Sequence, residues 1–245
     1  MNPPVALTIA GTDSGGAAGI AADLATFAAL GVHGACVVTA VTAQDTTGVH
    51  AIHPVPLDIV AAQLEAVLDD LDPAVVKTGM LGTPEVVRLV ADRCDGRTLV
   101  VDPVVVATSG AILANEEVVA AYRKHLLPVA AVATPNPDED DLLAPGTGIT
   151  VIRTGSGGAD VLRRPGHAAH ALPHDHVATS NDHGTGCTYS AALAAHLAHG
   201  LDLEAAARAA ASYVVGQLRH SKEWTLGRGR GPIAHITPPT QGETA

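Results

Sequence analysis

Short apolar runs alternate with segments of helical periodicity along most of this chain of 245 residues. Runs of about four to eight apolar residues are typical of strands buried on both faces, and helices between such strands connect parallel neighbours. The segment from Leu57 to Leu71 shows the helical pattern, because its aliphatic residues recur at helical spacing while Gln63 and acidic residues occupy the opposite face. The alternation predicts an α/β fold in which a mostly parallel central sheet carries helices on both faces. The predicted strands are Val5 to Ala10, Ala35 to Val41, Ala74 to Thr78, Thr98 to Val101, Ala130 to Ala133 and Ile149 to Ile152.

The last third of the chain predicts two further helices, and the length of the chain predicts a single domain. Thr188 to His199 and Leu203 to Arg219 are rich in alanine and have helical spacing, so we expect two further helices there. A chain of this size buries a substantial core without dividing, and we see no repeat or long linker. We therefore expect a single domain over residues 1–245.

The charge balance limits the classes of partner. The formal net charge is −11 and the pI is near 5.5. Nucleic acids and anionic membranes require a basic surface, which this composition does not provide. We expect small-molecule partners, no nucleic acid and no membrane, and any phosphate recognition must be local. The oligomeric state stays open, with a homodimer as one alternative.

The cysteines and the first residues bear on the compartment. Cys36, Cys94 and Cys187 are an odd number without the pattern of a disulfide framework, which suits a reducing environment. Met1 to Pro4 lacks the basic residues of a signal peptide, and the apolar run that follows is too short to span a bilayer. These features predict a cytoplasmic protein.

A glycine-spaced turn, Gly184-Thr185-Gly186, lies directly ahead of an alanine- and leucine-rich helix, with Cys187 at the helix entrance. The first N–H groups of a helix lack intrahelical partners and carry the positive end of its dipole, so small residues there let a phosphate approach the backbone. The same field is expected to lower the pKa of the Cys187 thiol and to favour a thiolate that accepts a proton from an attacking hydroxyl group. The alternative is that Cys187 is only a small residue packed at a helix start.

Polar loops follow five of the predicted strands. In open α/β sheets, ligands bind beyond the carboxyl ends of the strands, so these loops are candidates for a binding site. Each also has an ordinary interpretation, because glycine, proline and aspartate end strands and cap helices. Their succession favours a site. The loops are Gly11 to Asp23, Thr42 to Gly48, Gly79 to Gly82, Asp102 to Gly110 and Thr134 to Glu139.

These loops, in this order, resemble those of the hydroxymethylpyrimidine and phosphomethylpyrimidine kinases of thiamine biosynthesis, members of the ribokinase-like superfamily. The resemblance covers about residues 5–143 and 177–236. The Gly-Thr-Gly-Cys sequence is discriminating, since most of the superfamily has aspartate where this branch has cysteine. The resemblance implies a ribokinase-like fold and the ATP-dependent phosphorylation of 4-amino-5-hydroxymethyl-2-methylpyrimidine and of its monophosphate. It is carried by Ala10 to Asp13, Gly19 to Asp23, Ala43-Gln44, Lys77 to Leu81, Asp102 to Val104, Thr134 to Asn136, His183 to Cys187 and Gly227 to Pro232.

The same resemblance implies a pyrimidine pocket formed by Gly11, Asp23, Gln44 and Met80. Gln44 offers an amide donor and acceptor to an aminopyrimidine edge, and Asp23 can accept from an amino or hydroxyl group. Met80 suits a flat ring, although core packing is the commoner role of methionine. Another apolar wall is expected from Val106 or its neighbour Ala107.

The nucleotide side is assigned to Asn136 and Glu139, which match the Asn-x-x-Glu element of the superfamily and would hold Mg²⁺ through water. The alternative is a capping box, in which Asn136 caps a helix and Glu139 is its partner, and both interpretations can hold together. Asp102 is expected to help hold the metal-bound phosphates.

The sequence departs from the family between Glu139 and Asp160, where relatives have a further helix and a lysine-containing loop. Thr154 stands at the position of that lysine, with Arg153 beside it. We assign both to the nucleotide side, with Arg153 as the basic residue nearest the expected cation. A guanidinium fork and an ammonium group place their donors differently, so the two are not equivalent.

Three alternatives to this kinase remain open. A tract of histidines can bind zinc or nickel, although its spacing is irregular and no cysteine lies nearby. A pyrimidine-binding sensor would keep the fold without turnover, because the shortened segment would have removed its ATP binding. The nearest enzymatic alternative is a pyridoxal kinase. The histidine tract comprises His167, His170, His174 and His176.

Overall fold

The computed structural model describes residues 2–106, 113–146, 148–155 and 157–236. One sheet of eight strands forms its centre, in the order β10-β9-β8-β7-β6-β5-β1-β2. The six strands from β2 to β8 in this order are parallel, whereas β9 and β10 are antiparallel additions at one edge. Strands β3 and β4 form a separate antiparallel ribbon. The strands are β1 Val5–Ala10, β2 His33–Val38, β3 Ala40–Asp45, β4 Gly48–Pro54, β5 Val75–Thr78, β6 Thr98–Val101, β7 Val132–Ala133, β8 Val151–Arg153, β9 Ala159–Arg163 and β10 His170–Pro173.

Helices cover both faces of the central sheet, as predicted. Successive strand residues point to opposite faces, so Leu7 and Val76 join one core cluster with Leu64, while Ala6 and Val75 join the other. Four alanines of α6 are fully buried, which allows this helix to approach the sheet closely. The helices are α1 Gly19–Ala29, α2 Leu57–Leu71, α3 Pro84–Cys94, α4 Glu116–Ala121 with the π turn Tyr122–Leu126 and the 3-10 turn Leu127–Val129, α5 Pro137–Leu143, α6 Thr185–Ala198 and α7 Leu203–Ser221.

The predicted bounds of β1, β6 and α2 are confirmed, but the predicted strand from Ala35 to Val41 is wrong. The chain leaves the sheet at Thr39, whose N–H donates to Ala10 O at 2.9 Å and whose hydroxyl donates to Met80 O at 2.7 Å. The following residues form β3 of the outlying ribbon. Gln44 therefore lies on strand β3. Its side chain lines the same cavity as Gly11, which follows the carboxyl end of β1.

The shortened segment does not disrupt the parallel order. Strand β8 pairs in parallel with β7 through Ala133 and Val151, because α5 still provides a crossover helix. The hairpin of β9 and β10 was not predicted. Among the helices of the described residues, none is both long and apolar enough to cross a membrane.

Candidate active site

A cavity of about 1060 Å³ opens where the carboxyl ends of the parallel strands meet the start of α6. This is the position at which open α/β sheets bind ligands. Twelve of the predicted site residues line it, so loops far apart in sequence come together as expected. They are Gly11, Gln44, Met80, Asp102, Val106, Asn136, Glu139, Thr154, Gly184, Thr185, Gly186 and Cys187.

Two predicted residues do not line this cavity. Asp23 is fully buried and belongs to an internal ion pair, so it does not reach the cavity in which its contact with the pyrimidine was expected. Arg153 ends β8 and does not line the cavity, whereas the next two residues, Thr154 and Gly155, do. The expected guanidinium contact with the phosphates is therefore not provided by this arrangement. Ala107, the alternative to Val106 as an apolar wall, lies outside the described residues.

A buried lysine connects Asp23 to the cavity. Lys77 Nζ lies 2.9 Å from both carboxylate oxygens of Asp23 and 3.8 Å from Asp102 Oδ2. Burial opposes the charge on Lys77, but the carboxylates of Asp23 and Asp102 hold its pKa above the ordinary value. Burial also raises the pKa of Asp23. We regard the pair as ionised, because the ammonium group contacts both oxygens of Asp23.

The helix start has the shape that the sequence predicts. Gly184 precedes α6 with φ of 90°, and a Cβ there would lie 1.8 Å from Ala17 O. Only glycine allows this approach between the two loops. The first bond of the helix runs from Thr188 N to Gly184 O at 2.9 Å, so the N–H groups of Gly186 and Cys187 precede the intrahelical ladder. A Cβ at Gly186 would meet nothing within 4 Å, which leaves space for an anion beside this turn.

The predicted lowering of the Cys187 pKa is wrong for the free protein. Burial raises the pKa of the thiol to about 12, and Asp102 and Asp23 add to this effect while Lys77 opposes it. The prediction considered only the field of the helix end, which favours the thiolate. Removal from water and the negative charges of two nearby carboxylates both disfavour the thiolate. Cys187 is therefore a thiol at neutral pH when the cavity is empty.

The residues expected to bind the pyrimidine lie close together at one part of the cavity, its pyrimidine end. A Cβ on Gly11 would lie 2.4 Å from Met80 Cε, so the missing side chain is what lets Met80 pack there. Gln44 reaches in from β3, and its amide group lies 3.1 Å from His183 Nε2. Asp13 Oδ2 lies 3.3 Å from the same nitrogen.

Sequence reasoning did not assign roles to His183 and Asp13, although signals for both were present. His183 directly precedes the glycine-spaced turn, and Asp13 lies in the glycine-rich loop after β1. What the sequence could not show is that these two loops meet. Their contact follows from the close approach of Gly184 to Ala17.

Asn136 and Glu139 form a capping box at the start of α5. Glu139 N donates to Asn136 Oδ1 at 2.9 Å, and Asn136 N donates to Glu139 Oε2 at 3.0 Å. Val105 N donates to the second oxygen, Oε1, at 3.1 Å. Burial, and then the charge of Asp102, raise the pKa of Glu139 to about 7. Each carboxylate oxygen keeps a lone pair, which can accept a hydrogen bond from a water molecule of a hydrated Mg²⁺ ion.

The opposite end of the cavity is formed by residues that the sequence did not reveal. The β9–β10 hairpin places Asp160 and His174 against Tyr189 of α6, with His174 Nε2 3.5 Å from Asp160 Oδ1. Burial raises the pKa of Asp160 and of Tyr189. Several apolar side chains also line the cavity, as is usual for small-molecule sites. They are Val177, Ala178, Val214, Val215 and Leu218.

The histidine tract does not converge. His170 Nε2 lies 3.3 Å from Glu204 Oε2, His174 contacts Asp160, and His167 Nδ1 contacts Pro165 O at 2.9 Å. Within the described ranges, no group of three or more histidine, cysteine or acidic side chains is placed to hold a metal ion. This arrangement gives the zinc or nickel alternative no support.

The fold and the cavity together define a class. A parallel sheet whose strand ends face a glycine-containing helix start, with buried carboxylates beside the same cavity, is the arrangement of an α/β small-molecule kinase.

Comparison with known proteins identifies the family. A family model described as phosphomethylpyrimidine kinase matches residues 13–154 and 146–234, with its two segments meeting at the shortened region. The hydroxymethylpyrimidine/phosphomethylpyrimidine kinase of Rhizobium meliloti is 45% identical over 258 residues, covering 95% of this chain and 97% of that protein. The corresponding enzyme of Synechococcus elongatus is 43% identical, covering 97% of this chain and 99% of that protein.

Solved structures agree with this result. The ADP complex of Bacillus subtilis pyridoxal kinase superposes with a TM-score of 0.85 at 32% identity, covering 95% of this chain and 97% of that chain. Phosphomethylpyrimidine kinase from Clostridium difficile gives a TM-score of 0.74 at 31% identity, covering 87% of this chain and 98% of that chain. The chain belongs to the phosphomethylpyrimidine kinase family and is an enzyme of the kinase class.

Proposed function

We propose that this chain transfers a phosphoryl group from ATP to the hydroxymethyl group of 4-amino-5-hydroxymethyl-2-methylpyrimidine, and then phosphorylates the monophosphate. The main observation in favour of this proposal is that Gln44 and Met80 line the same cavity as Cys187 and the Gly184–Gly186 turn. A ring held at the pyrimidine end therefore has its hydroxymethyl group directed towards the helix start. The names of the relatives support the same substrate class.

The turn before α6 provides most of the rate enhancement in this proposal. Phosphoryl transfer depends mainly on positioning and on stabilising charge over the transferred oxygens. The N–H groups of Gly186 and Cys187 belong to the positive end of the helix dipole, and both residues line the cavity in which such oxygens would lie. Asp102 stands opposite, fixed by the hydroxyl of Ser190, which donates to its Oδ2 at 2.9 Å.

Cys187 accepts the proton of the attacking hydroxyl group in this proposal. The ammonium group of Lys77 lies near it and opposes the effect of burial on the thiol pKa. Asn136 and Glu139 would hold Mg²⁺ through water, and the ion would supply positive charge to the phosphates. Thr154 and the neighbouring Gly155 line the same side of the cavity.

Pyridoxal phosphorylation is the second candidate. The likeness to a pyridoxal kinase structure, at a TM-score of 0.85, favours it specifically. A coupled assay with the hydroxymethylpyrimidine, its monophosphate and pyridoxal in parallel decides between them. We expect the two pyrimidines to give higher kcat/KM values than pyridoxal, and the opposite order would replace the proposed function by the second.

Gln44→Leu is expected to raise the KM for the pyrimidine by roughly ten- to a hundredfold, because an unpaired buried polar group costs about 1–3 kcal/mol. The KM for ATP should change little, since Gln44 lies at the pyrimidine end of the cavity. Gln217→Leu is the matched control, because Gln217 lies on α7 outside the cavity lining. Equal changes in both KM values would place the pyrimidine elsewhere.

Binding of magnesium–nucleotide is expected to release a proton near pH 6 and none above about pH 8.5. Glu139 has a pKa of about 7 in the free protein and is largely protonated at the lower pH. A nearby cation favours the carboxylate and lowers that pKa, so the proton leaves on binding. Calorimetry in buffers of different ionisation enthalpy measures this proton count. Glu139→Gln should abolish the release, and a release that survives the substitution would assign it to another group.

A further inference from the structure

Two side chains compete for one nitrogen of His183 at the pyrimidine end of the cavity. Nε2 of the His183 ring lies 3.1 Å from the side-chain amide nitrogen of Gln44. The same ring nitrogen lies 3.3 Å from Asp13 Oδ2. His183 is 7% exposed and Asp13 is 6% exposed, so both contacts must be satisfied largely within the protein. One ring nitrogen either donates or accepts a hydrogen bond. It therefore cannot satisfy a carboxylate and an amide NH₂ group together.

Asp13 settles this competition because it is ionised. Its Oδ1 accepts the N–H of Gly15 at 2.8 Å, and its Oδ2 accepts those of Ala17 at 3.1 Å and Ala18 at 2.9 Å. Burial alone would raise the pKa of this carboxyl group, but the hydrogen bonds from His183 and from the backbone outweigh it and hold the pKa below its ordinary value. An ionised carboxylate needs a donor, so the facing Nε2 carries a proton in either the neutral or the charged ring.

The backbone on both sides of His183 is held in place, which fixes the position from which its ring reaches this carboxylate. His183 N donates to Gly231 O at 3.0 Å, and Ile233 N donates to His183 O at 3.0 Å. The next residue, Gly184, packs against Ala17 so closely that a Cβ would clash. The loop that carries the histidine is thus docked against the loop that carries the aspartate.

Gln44 must then present its amide oxygen to His183, since Nε2 is already a donor. The oxygen and nitrogen ends of an amide exchange places by a half-turn of the last side-chain bond. We propose that His183, held by Asp13, fixes Gln44 with its amide NH₂ group facing the cavity, so that the pyrimidine end recognises its ring as a hydrogen-bond donor. This inference rests on the proposed function for the placement of the substrate ring beside Gln44.

A donor at this position selects rings with an acceptor on the facing edge. An unprotonated ring nitrogen or a ring-borne oxygen satisfies it, whereas an exocyclic amino group is itself a donor and does not. Gln44 therefore recognises the ring nitrogen of the pyrimidine rather than its amino group. In this proposal His183 is a specificity-determining positioning residue, because it acts on the substrate through Gln44.

Two truncated ligands separate the ring nitrogen from the amino group. 5-Hydroxymethyl-2-methylpyrimidine keeps the ring nitrogens and lacks the amino group, whereas 2-aminobenzyl alcohol keeps the amino group and lacks the ring nitrogens. Measured as competitive inhibitors, the first should bind at least about tenfold more weakly to Gln44→Leu than to the parent, and the second equally to both. The reverse pattern, or equal weakening of both ligands, would overturn the assigned orientation.

A double-mutant cycle tests whether His183 acts through Gln44. His183→Asn should raise the KM for the pyrimidine by about tenfold with little change in the KM for ATP, and adding Gln44→Leu to it should cost less than Gln44→Leu costs in the parent. Additive effects would give His183 a role independent of Gln44. His199→Ala is the matched control, because the ring of that histidine contacts Leu30 O at the C-terminal end of α6 and does not line the cavity.

The tautomer of His183 can be observed without turnover. Nitrogen-15 NMR of the free parent protein, with His183→Asn used to assign the signal, should show a protonated Nε2. A bare Nε2 would overturn the inference whatever the activity. A protonated Nε2 in a protein that phosphorylates no pyrimidine would instead remove the proposed function and leave the orientation of Gln44 standing.

Discussion

Replacement of Cys187 by alanine is expected to lower kcat by at least about a hundredfold, while the affinity for the pyrimidine stays within about twofold of the parent value. The proposed function makes this thiol the acceptor of the hydroxyl proton, a contribution made only during transfer. Steady-state kinetics and pyrimidine calorimetry on the same preparations measure the two quantities. Near-normal kcat in Cys187→Ala would remove the residue from the mechanism. Cys36→Ala, which removes a half-buried cysteine of β2, is the control.

The pH dependence of the same reaction carries a second signature of Cys187. Its pKa is raised to about 12, so only a small fraction is thiolate at neutral pH, and that fraction grows roughly tenfold for each pH unit. If the thiolate is the base, kcat should rise with pH across the neutral range. Cys187→Asp should flatten this rise, because a carboxylate there titrates at lower pH. A flat profile in the parent would mean that the proton leaves without help from Cys187.

Local signals in the sequence predicted the parts of the site that depend on backbone shape. The glycines around Cys187 and the capping box at Asn136 are defined by neighbours within a few residues, and both occur as predicted. The buried parallel strands were also predictable, because they are apolar on both faces. These features position most of the cavity lining.

Contacts between distant segments could not be predicted in the same way. Asp23 was expected at the cavity surface, but its partner Lys77 lies 54 residues away and holds it below that surface. The β9–β10 hairpin has partly exposed residues on both strands, so its sequence resembles a loop. The raised pKa of Cys187 has a similar origin, because it depends on Asp102 and Asp23, which approach it only in the folded chain.

Lys77→Met is expected to destabilise the protein by about 3–5 kcal/mol, the usual effect of removing one partner from a buried ion pair. Lys77 is fully buried, and its loss would remove the cation that contacts Asp23 and Asp102, while the hydroxyl of Ser190 would still donate to Asp102. Urea unfolding at neutral pH measures the change as a lower midpoint with an unchanged slope.

The double variant Lys77→Met/Asp23→Leu separates the charge from the packing. It removes both members of the fully buried pair and replaces them by apolar groups of similar size, so we expect it to recover a large part of the stability lost in Lys77→Met. Recovery should not extend to kcat, because Cys187 would then face Asp102 without the ammonium group that favours its thiolate. If the double variant instead unfolds as easily as Lys77→Met, the stability lost with Lys77 is lost packing rather than an unpaired charge. If it regains full kcat, the ammonium group has no part in the chemistry of Cys187, and Lys77 serves only to neutralise Asp23.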